Sequence, residues 1–249
     1  MGNLIYCELL KLKRSKMLLI SFLGALVTPV MIIIDGVRTH FAHPEVVLKL
    51  STLFDNCQFY TMILFGLIVY TVISAYLFNR EYTEKTLKSI LPVPVSKTSF
   101  IASKFCILWI WIIVLTVITW ASAFALSIIF NAVFGLVEFS FGLALKWLAK
   151  MLIGSFLLFL TISPFVFIAM RTKGVVVPVI ASAVIVMGNA FLSNEPLGAL
   201  FPWTSTSLLI SGKIANTGYP YWLVIGLIIL VSALGFITSF VYFGKEDIK

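Results

Sequence analysis

Charge is what this chain has least of. Of its 249 residues 11% are Asp, Glu, Lys or Arg while 61% are hydrophobic, and the mean hydropathy is +1.09. A soluble domain carries about 25% charged and about 45–50% apolar residues, so this chain has too little polar surface to coat a water-facing globule. A soluble enzyme, a disordered tail and a disulfide-rich secreted module are excluded on that ground. Cysteine is scarce too. Cys7, Cys57 and Cys106 share no CxxC spacing and no histidine accompanies them at ligand spacing, so the sequence offers neither a disulfide framework nor a zinc site. What remains is a polytopic all-α membrane protein. With so much apolar mass, the net charge of +8 is assigned to a cytoplasmic membrane face and not to nucleic acid.

The charges that do occur divide the sequence into long uncharged runs. A helix needs about 20 apolar residues to cross the hydrocarbon, which predicts six spans at roughly 17–34, 59–79, 105–130, 151–170, 174–193 and 221–243 in a single domain, 1–249. The run 196–212, with Pro196, Pro202, Gly198 and five Ser or Thr, is expected as a broken, re-entrant or interfacial segment before the sixth span. The first span has no small-residue cleavage site before Asp35 and is expected to stay as an anchor. Tyr6 at the place of a Ser or Thr argues against myristoylation of Gly2. An even number of crossings puts both termini on one side. With the termini inside, the inner segments hold 13 of the 18 Lys and Arg and the outer segments hold 5, which predicts cytoplasmic termini in a plasma-membrane protein.

None of the six spans contains Asp, Glu, Lys, Arg or His. An ionised group at mid-bilayer costs at least about 2.5–3.5 kcal/mol and is kept for function. The absence argues against a transporter driven by its own proton or ion relay, against haem ligation and against intramembrane proteolysis. Polar marks are weaker: Thr161, Ser163 and Pro164 in one span, Pro29 and Pro178 in two others, and Asn189 near the end of the fifth. The prolines are expected to kink helices while neighbours satisfy the freed backbone.

Two inner segments carry more structure than a connection needs. In MGNLIYCELLKLKRSK, residues 1–16, Leu4, Ile5, Leu9 and Leu12 recur at helical spacing while Glu8, Lys11 and Arg14 project elsewhere. An amphipathic helix on the inner leaflet, its basic residues at lipid headgroups, is expected. The loop Arg80–Lys104 is 25 residues long, where a helix–helix connection takes about 2–8. Glu81 with Lys85 and Glu84 with Lys88 are i,i+4 pairs in the favourable order. Leu87, Ile90 and Leu91 supply an apolar face, and Pro92-Val-Pro94-Val ends the helix and stiffens the connector.

The stretch FNREYTEKTLKSILPVPVSKTSFIASKF, Phe78–Phe105, resembles the signature region of type 2 ABC export permeases at Phe78, Glu81, Thr86, Leu87, Pro92, Pro94, Ser96, Lys97 and Lys104. Chain length and LFPWTSTSLL at 200–209 further resemble the branch that exports bacitracin, lantibiotics and similar peptides, conferring resistance or immunity. The resemblance implies an N-terminal connecting helix, a short cytoplasmic coupling helix built on Glu81, Glu84, Lys85, Leu87, Lys88, Leu91, Pro92 and Pro94, and a substrate path along spans two and five with Phe59, Tyr60, Phe65, Tyr70, Val184 and Asn189 as candidates. No GxxxxGK[ST] loop occurs, so this chain binds no cofactor of its own, and ATP with magnesium belongs to a separate ATPase. The resemblance implies two ATPase copies beneath a homodimer, or a heterodimer with a second permease, in contact with membrane lipid. A lipid, a drug or sodium as cargo, or a structural membrane subunit without transport, are the alternative expectations.

Overall fold

The computed structural model describes residues 2–13, 15–83 and 96–245. Regular structure among them is helical, apart from an isolated bridge pairing Lys49 with Val137. Helix α1 is Gly2–Lys13, α2 is Met17–Ala42, and α3 is Leu50–Thr83, interrupted by a π-helical turn at Thr61–Phe65. Helix α4 is Lys97–Phe134, α5 is Phe141–Thr172 and α6 is Val176–Leu192. A 3₁₀ turn, Pro196–Leu200, leads to α7, Pro202–Ser211. A second 3₁₀ turn, Lys213–Thr217, precedes α8, Tyr221–Lys245.

Among the described residues five helices, α2, α3, α4, α5 and α8, are long and apolar enough to cross a membrane. Helix α6, the expected fifth span, has 17 residues, about 26 Å at 1.5 Å per residue, against a hydrocarbon thickness of about 30 Å. The long helices also overrun the apolar runs that announced them. Helix α2 continues through Asp35 and Arg38, α3 begins before Asp55, and α5 takes in Lys146 and Lys150. A charge ends an apolar run but not a helix, because long side chains reach the interface while the backbone stays hydrogen-bonded. The α4 and α5 starts carry local signals: the hydroxyls of Ser96 and Ser140 accept from the N–H groups of Ser99 and Leu143, as N-caps do.

The segment 196–212 is more regular than its composition suggests. Pro202 occupies the first turn of α7, where its missing N–H costs nothing. Ser205 and Thr206 donate to the carbonyls of Pro202 and Trp203, and residues 204–208 are buried in protein. Trp203 Nε1 donates to Thr161 O at 3.0 Å and fastens α7 to α5.

The core lies around α5, which packs along α8 and α3, while α2 lies on α4. Pro29 and Pro164, inside apolar helices, each free the carbonyl four residues before them, and each time a side chain takes it. Thr119 of α4 donates to Ala25 O, freed by Pro29, at 3.1 Å. Ser163 donates to Leu160 O, freed by Pro164, at 2.8 Å, and lies 3.0 Å from Ser232 O of α8. The expected compensation is thus made at Pro29 and Pro164, at Pro29 across helices. Pro178, expected to kink its helix, instead stands in the first turn of α6, where its missing N–H costs no helical bond, and Asn79 of α3 donates to Gly174 O in the connection before it at 2.8 Å.

The α5–α8 contact depends on Gly235. A Cβ there would overlap Ser163 Oγ and stand 2.5 Å from Pro164 N, whereas one on Gly226 would meet nothing within 4 Å. Gly235→Ala is therefore expected to destabilise the bundle by about 1–3 kcal/mol, the range of overpacked cores, and Gly226→Ala to leave it unchanged. Thermal unfolding in detergent reads both; equal midpoints for the two variants would contradict this packing.

Candidate functional site

Four charged side chains from three helices converge where α1 lies against the ends of α3 and α4. Glu81 Oε2 of α3 and Lys104 Nζ of α4 are 2.5 Å apart, and Lys104 also donates to Leu77 O at 2.6 Å. From α1, Glu8 Oε2 lies 3.6 Å from Lys104 Nζ. Lys11 Nζ bonds Glu8 Oε1 at 2.8 Å and reaches Glu81 Oε1 at 3.5 Å. The rings of Phe78 and Phe100 flank the Lys104 ammonium at 5.8 and 5.2 Å. Glu8, Glu81 and Lys104 are each at most 3% exposed, whereas the Lys11 side chain is 32% exposed, so two acids and two bases form a neutral cluster that opens to the surface only at Lys11.

Ion pairing acts against burial here. Burial pushes the Glu8 carboxyl up, yet Lys104 and Lys11 outweigh it and hold the group below the usual carboxylate range. Burial pushes the Lys11 ammonium down, yet Glu8 and Glu81 outweigh it and hold the group above the usual lysine value. A buried pair adds little net stability over an apolar replacement, but losing one partner costs about 3–5 kcal/mol. The cluster therefore specifies how three helices sit more than how tightly they hold.

The same end of α3 reaches further. Asn79 holds Gly174 O in the α5–α6 connection, and Lys173 of that connection lies over the Tyr82 ring at 5.1 Å. Lys97 of α4 donates to Gly244 O of α8 at 3.2 Å. The last turns of α3 thus touch α1, α4 and the α5–α6 connection, directly before residues 84–95.

Of the expected coupling residues, Glu81 sits inside this cluster. Glu84, Lys85, Leu87, Lys88, Leu91, Pro92 and Pro94 lie outside the described residues. Glu8 differs from its sequence reading: it turns into the protein, while Leu9 and Leu10 of the same helix are exposed. The physical reason is Lys104, whose buried ammonium attracts the carboxylate more than the interface attracts the leucines. The signal was present in the sequence, since Glu8 is the sole acid before Asp35 and stands three residues from Lys11.

The six candidate path residues occupy different places. Asn189 is fully buried, donating to Ile63 O in the π turn at 3.1 Å and accepting from Thr204 of α7 at 3.0 Å. Thr204, Ile63 and Phe59 line one cavity of about 210 Å³ at the α7 end of the bundle, with Glu195 and Lys213 beside them. Phe59 lines that cavity directly, whereas Asn189 stands behind it, bonded to two of its lining residues. Tyr60 stacks edge-on against Phe59, and Phe65 is half-buried. Tyr70 is buried and bonded to Thr116. Val184 belongs to an exposed stripe on α6 with Val177, Ile180, Met187 and Phe191.

The model of the ABC-2 family transporter proteins matches residues 4–189, a stretch that contains all four charges of the cluster. The chain is also similar to the bacitracin transport permease protein BCRB of Bacillus licheniformis. The two are 34% identical over 206 residues, covering 83% of this chain and 97% of that protein.

Lys104→Met is expected to lower stability by about 3–5 kcal/mol, because two buried carboxylates, Glu81 and Glu8, are left to share the partly exposed Lys11, and Glu81→Gln added to it is expected to recover most of the loss. Thermal unfolding in detergent checks both; additive losses would contradict a paired cluster. The depressed Glu8 adds stability at neutral pH that is lost as pH falls through its depressed value. The raised Lys11 adds stability present in full below the usual lysine range and lost as pH rises through its raised value. Unfolding midpoints across pH should therefore fall at both extremes, and less so in Glu8→Gln.

Proposed function

The chain belongs to the ABC-2 family of transporter proteins, and on that footing we propose that it is the membrane-spanning subunit of an ATP-driven exporter for an amphipathic peptide of the bacitracin or lantibiotic kind. Permeases of this family work with ABC ATPase subunits. The absence of a phosphate-binding loop from the sequence agrees with hydrolysis on a separate chain. The cargo reading leans on the likeness to a bacitracin permease and on the apolar, aromatic character of α3 and α6.

The observation that carries the mechanism is the place of the charge cluster. It ties the end of α3 to α1 and α4 at the doorstep of residues 84–95, the proposed coupling segment. The distribution of Lys and Arg puts this end in the cytoplasm together with both termini. Helix α6 is then the fifth of six crossings, its short length made up by the connections at either end, and the α7 segment enters the membrane from outside. Two ATPases, closing on ATP beneath two permeases, push the coupling segment. Because Glu81, Lys104, Glu8 and Lys11 hold α1, α3 and α4 in one arrangement, the push moves them together as a rigid group. Rocking between two packed arrangements then opens a path between the permeases to the outside. The exposed α6 stripe through Val184 and the α3 residues Phe59, Tyr60 and Phe65 flank that path, while Tyr70 and Asn189 support it from within. The second permease is another copy of this chain or a related one.

Glu81→Lys places a second cation beside Lys104. It is expected to leave membrane insertion intact but to cut cargo moved per ATP hydrolysed by at least about tenfold, the equivalent of about 1.4 kcal/mol. Glu81→Lys combined with Lys104→Glu is expected to recover part of it. ATP turnover and bacitracin uptake in inverted membrane vesicles, with the partner ATPase present, measure both. Full export by the single variant would contradict the role given to the cluster.

A further inference from the structure

The cavity at the α7 end of the bundle carries two opposite charges that do not meet. Its volume is about 210 Å³, and Glu195 of the α6–α7 connection and Lys213 of the α7–α8 connection both stand on its wall. Neither makes an ion pair or a side-chain hydrogen bond among the described residues. Elsewhere acids and bases that share a site do pair, as Asp55 with Lys150 and Lys49 with Glu138. The rest of the wall is mixed. The hydroxyls of Ser193, Thr204 and Ser211 line the cavity but commit their hydrogens to Ala190 O, Asn189 Oδ1 and Ser207 O, at 3.1, 3.0 and 2.9 Å. Their oxygens stay open to a donor that enters. Thr204 is fully buried and Ser207 is 5% exposed, so this is a formed pocket and not a patch of surface. Phe59 and Ile63 of α3 supply an apolar side.

These features select a class of ligand. A simple anion is repelled by Glu195 and a simple cation by Lys213, whereas a zwitterion satisfies both. Hydroxyl oxygens and a carboxylate call for an ammonium that still carries N–H groups, which disfavours a quaternary one. At about 30 Å³ per water the volume equals about seven waters, which suits a headgroup and is too small for a whole peptide. Position agrees with size. Tyr221 and Trp222, both exposed, open α8 soon after the second 3₁₀ turn, and such aromatics mark the headgroup level of a membrane. Phe191 and Leu197, which flank the lining residues 193–196 in sequence, are exposed and offer an apolar surface to acyl chains.

We propose that this cavity binds a phosphoethanolamine group, carried by a phospholipid of the leaflet opposite the charge cluster or free in solution. The ammonium is held by Glu195 and the neighbouring hydroxyl oxygens, and the phosphate by Lys213. Ile63 belongs to the π turn of α3, and Asn189 of α6 ties both Ile63 and Thr204 of α7. The bound group therefore touches α3 and the connections on both sides of α7, and holds the segment 196–212 on the bundle. The site is read from the cavity and stands whatever the chain exports.

The test is lipid binding to the purified chain with its partner ATPase, in detergent, read by native mass spectrometry. Phosphatidylethanolamine and phosphatidylcholine carry the same net charge and differ in the N–H groups. The complex is expected to hold the ethanolamine lipid at least about tenfold more tightly, the effect of one charge-assisted hydrogen bond. Glu195→Gln is expected to abolish that preference, and Lys213→Gln to weaken both lipids alike. Both positions are exposed, so neither exchange disturbs the core. Soluble phosphoethanolamine separates the two sources: competition at equal concentration assigns the site to the free compound, and competition only in large excess assigns it to the lipid. Equal retention of the two lipids overturns the inference, as does a preference that survives Glu195→Gln. Binding of labelled bacitracin that Glu195→Gln abolishes, without any preference for ethanolamine, gives the cavity to cargo and overturns it too.

Discussion

Inside a bilayer a polar group has no water to fall back on, and this constraint shapes the molecule from one end to the other. It explains why Thr119 and Ser163 stand where they can take up the carbonyls set free by Pro29 and Pro164, and why Asn79 takes up the Gly174 carbonyl just before α6. It explains why the half-buried Trp203 and the fully buried Asn189 each reach the backbone of another helix. These contacts do more than relieve a local cost. Each joins two elements at a point that admits one partner, so the apolar helices, which would otherwise slide on one another with little preference, acquire a fixed register.

Charge obeys the same constraint more severely. The apolar middles of the long helices hold no ionised group, and three buried charges, Glu8, Glu81 and Lys104, lie together with the partly exposed Lys11 where α1 meets the ends of α3 and α4, neutralising one another. Such a cluster is a poor source of stability, since an apolar core of the same shape would hold as well. Its value is positional. In the proposed cycle a push on residues 84–95 arrives at Glu81, which is paired with Lys104 as Lys104 is with Glu8, and this bracket is where the drive from a partner ATPase enters.

Much of that was legible in the sequence. Uncharged runs located every apolar helix, because lipid tolerates little else, and the prolines announced where side chains would have to compensate. Glu81 was recognisable by its place in a resembling stretch. Other features depend on three-dimensional neighbours and left little local trace. Helices α2, α3 and α5 run past Asp35, Asp55 and Lys150 since a charge limits hydrophobicity without breaking hydrogen bonds. Glu8 turns inward because of Lys104, nearly a hundred residues away. Pro202 starts a helix where composition suggested a break, and the π turn at Thr61–Phe65 depends on Gly66 and on the packing of Gln58 against Gly154. For the path residues the sequence could name aromatic positions on two helices but not the faces they take, and Tyr70 and Val184 face opposite ways.

The central claim is that this bundle has no motive power of its own and draws it from an ATPase through the charged bracket. It is tested most directly by reconstituting the purified chain into sealed vesicles, with and without the partner ATPase, and following labelled bacitracin against its gradient. The account predicts uphill movement with the ATPase and ATP together, and none with the chain alone under any ion gradient. Uphill movement by the chain alone would contradict it.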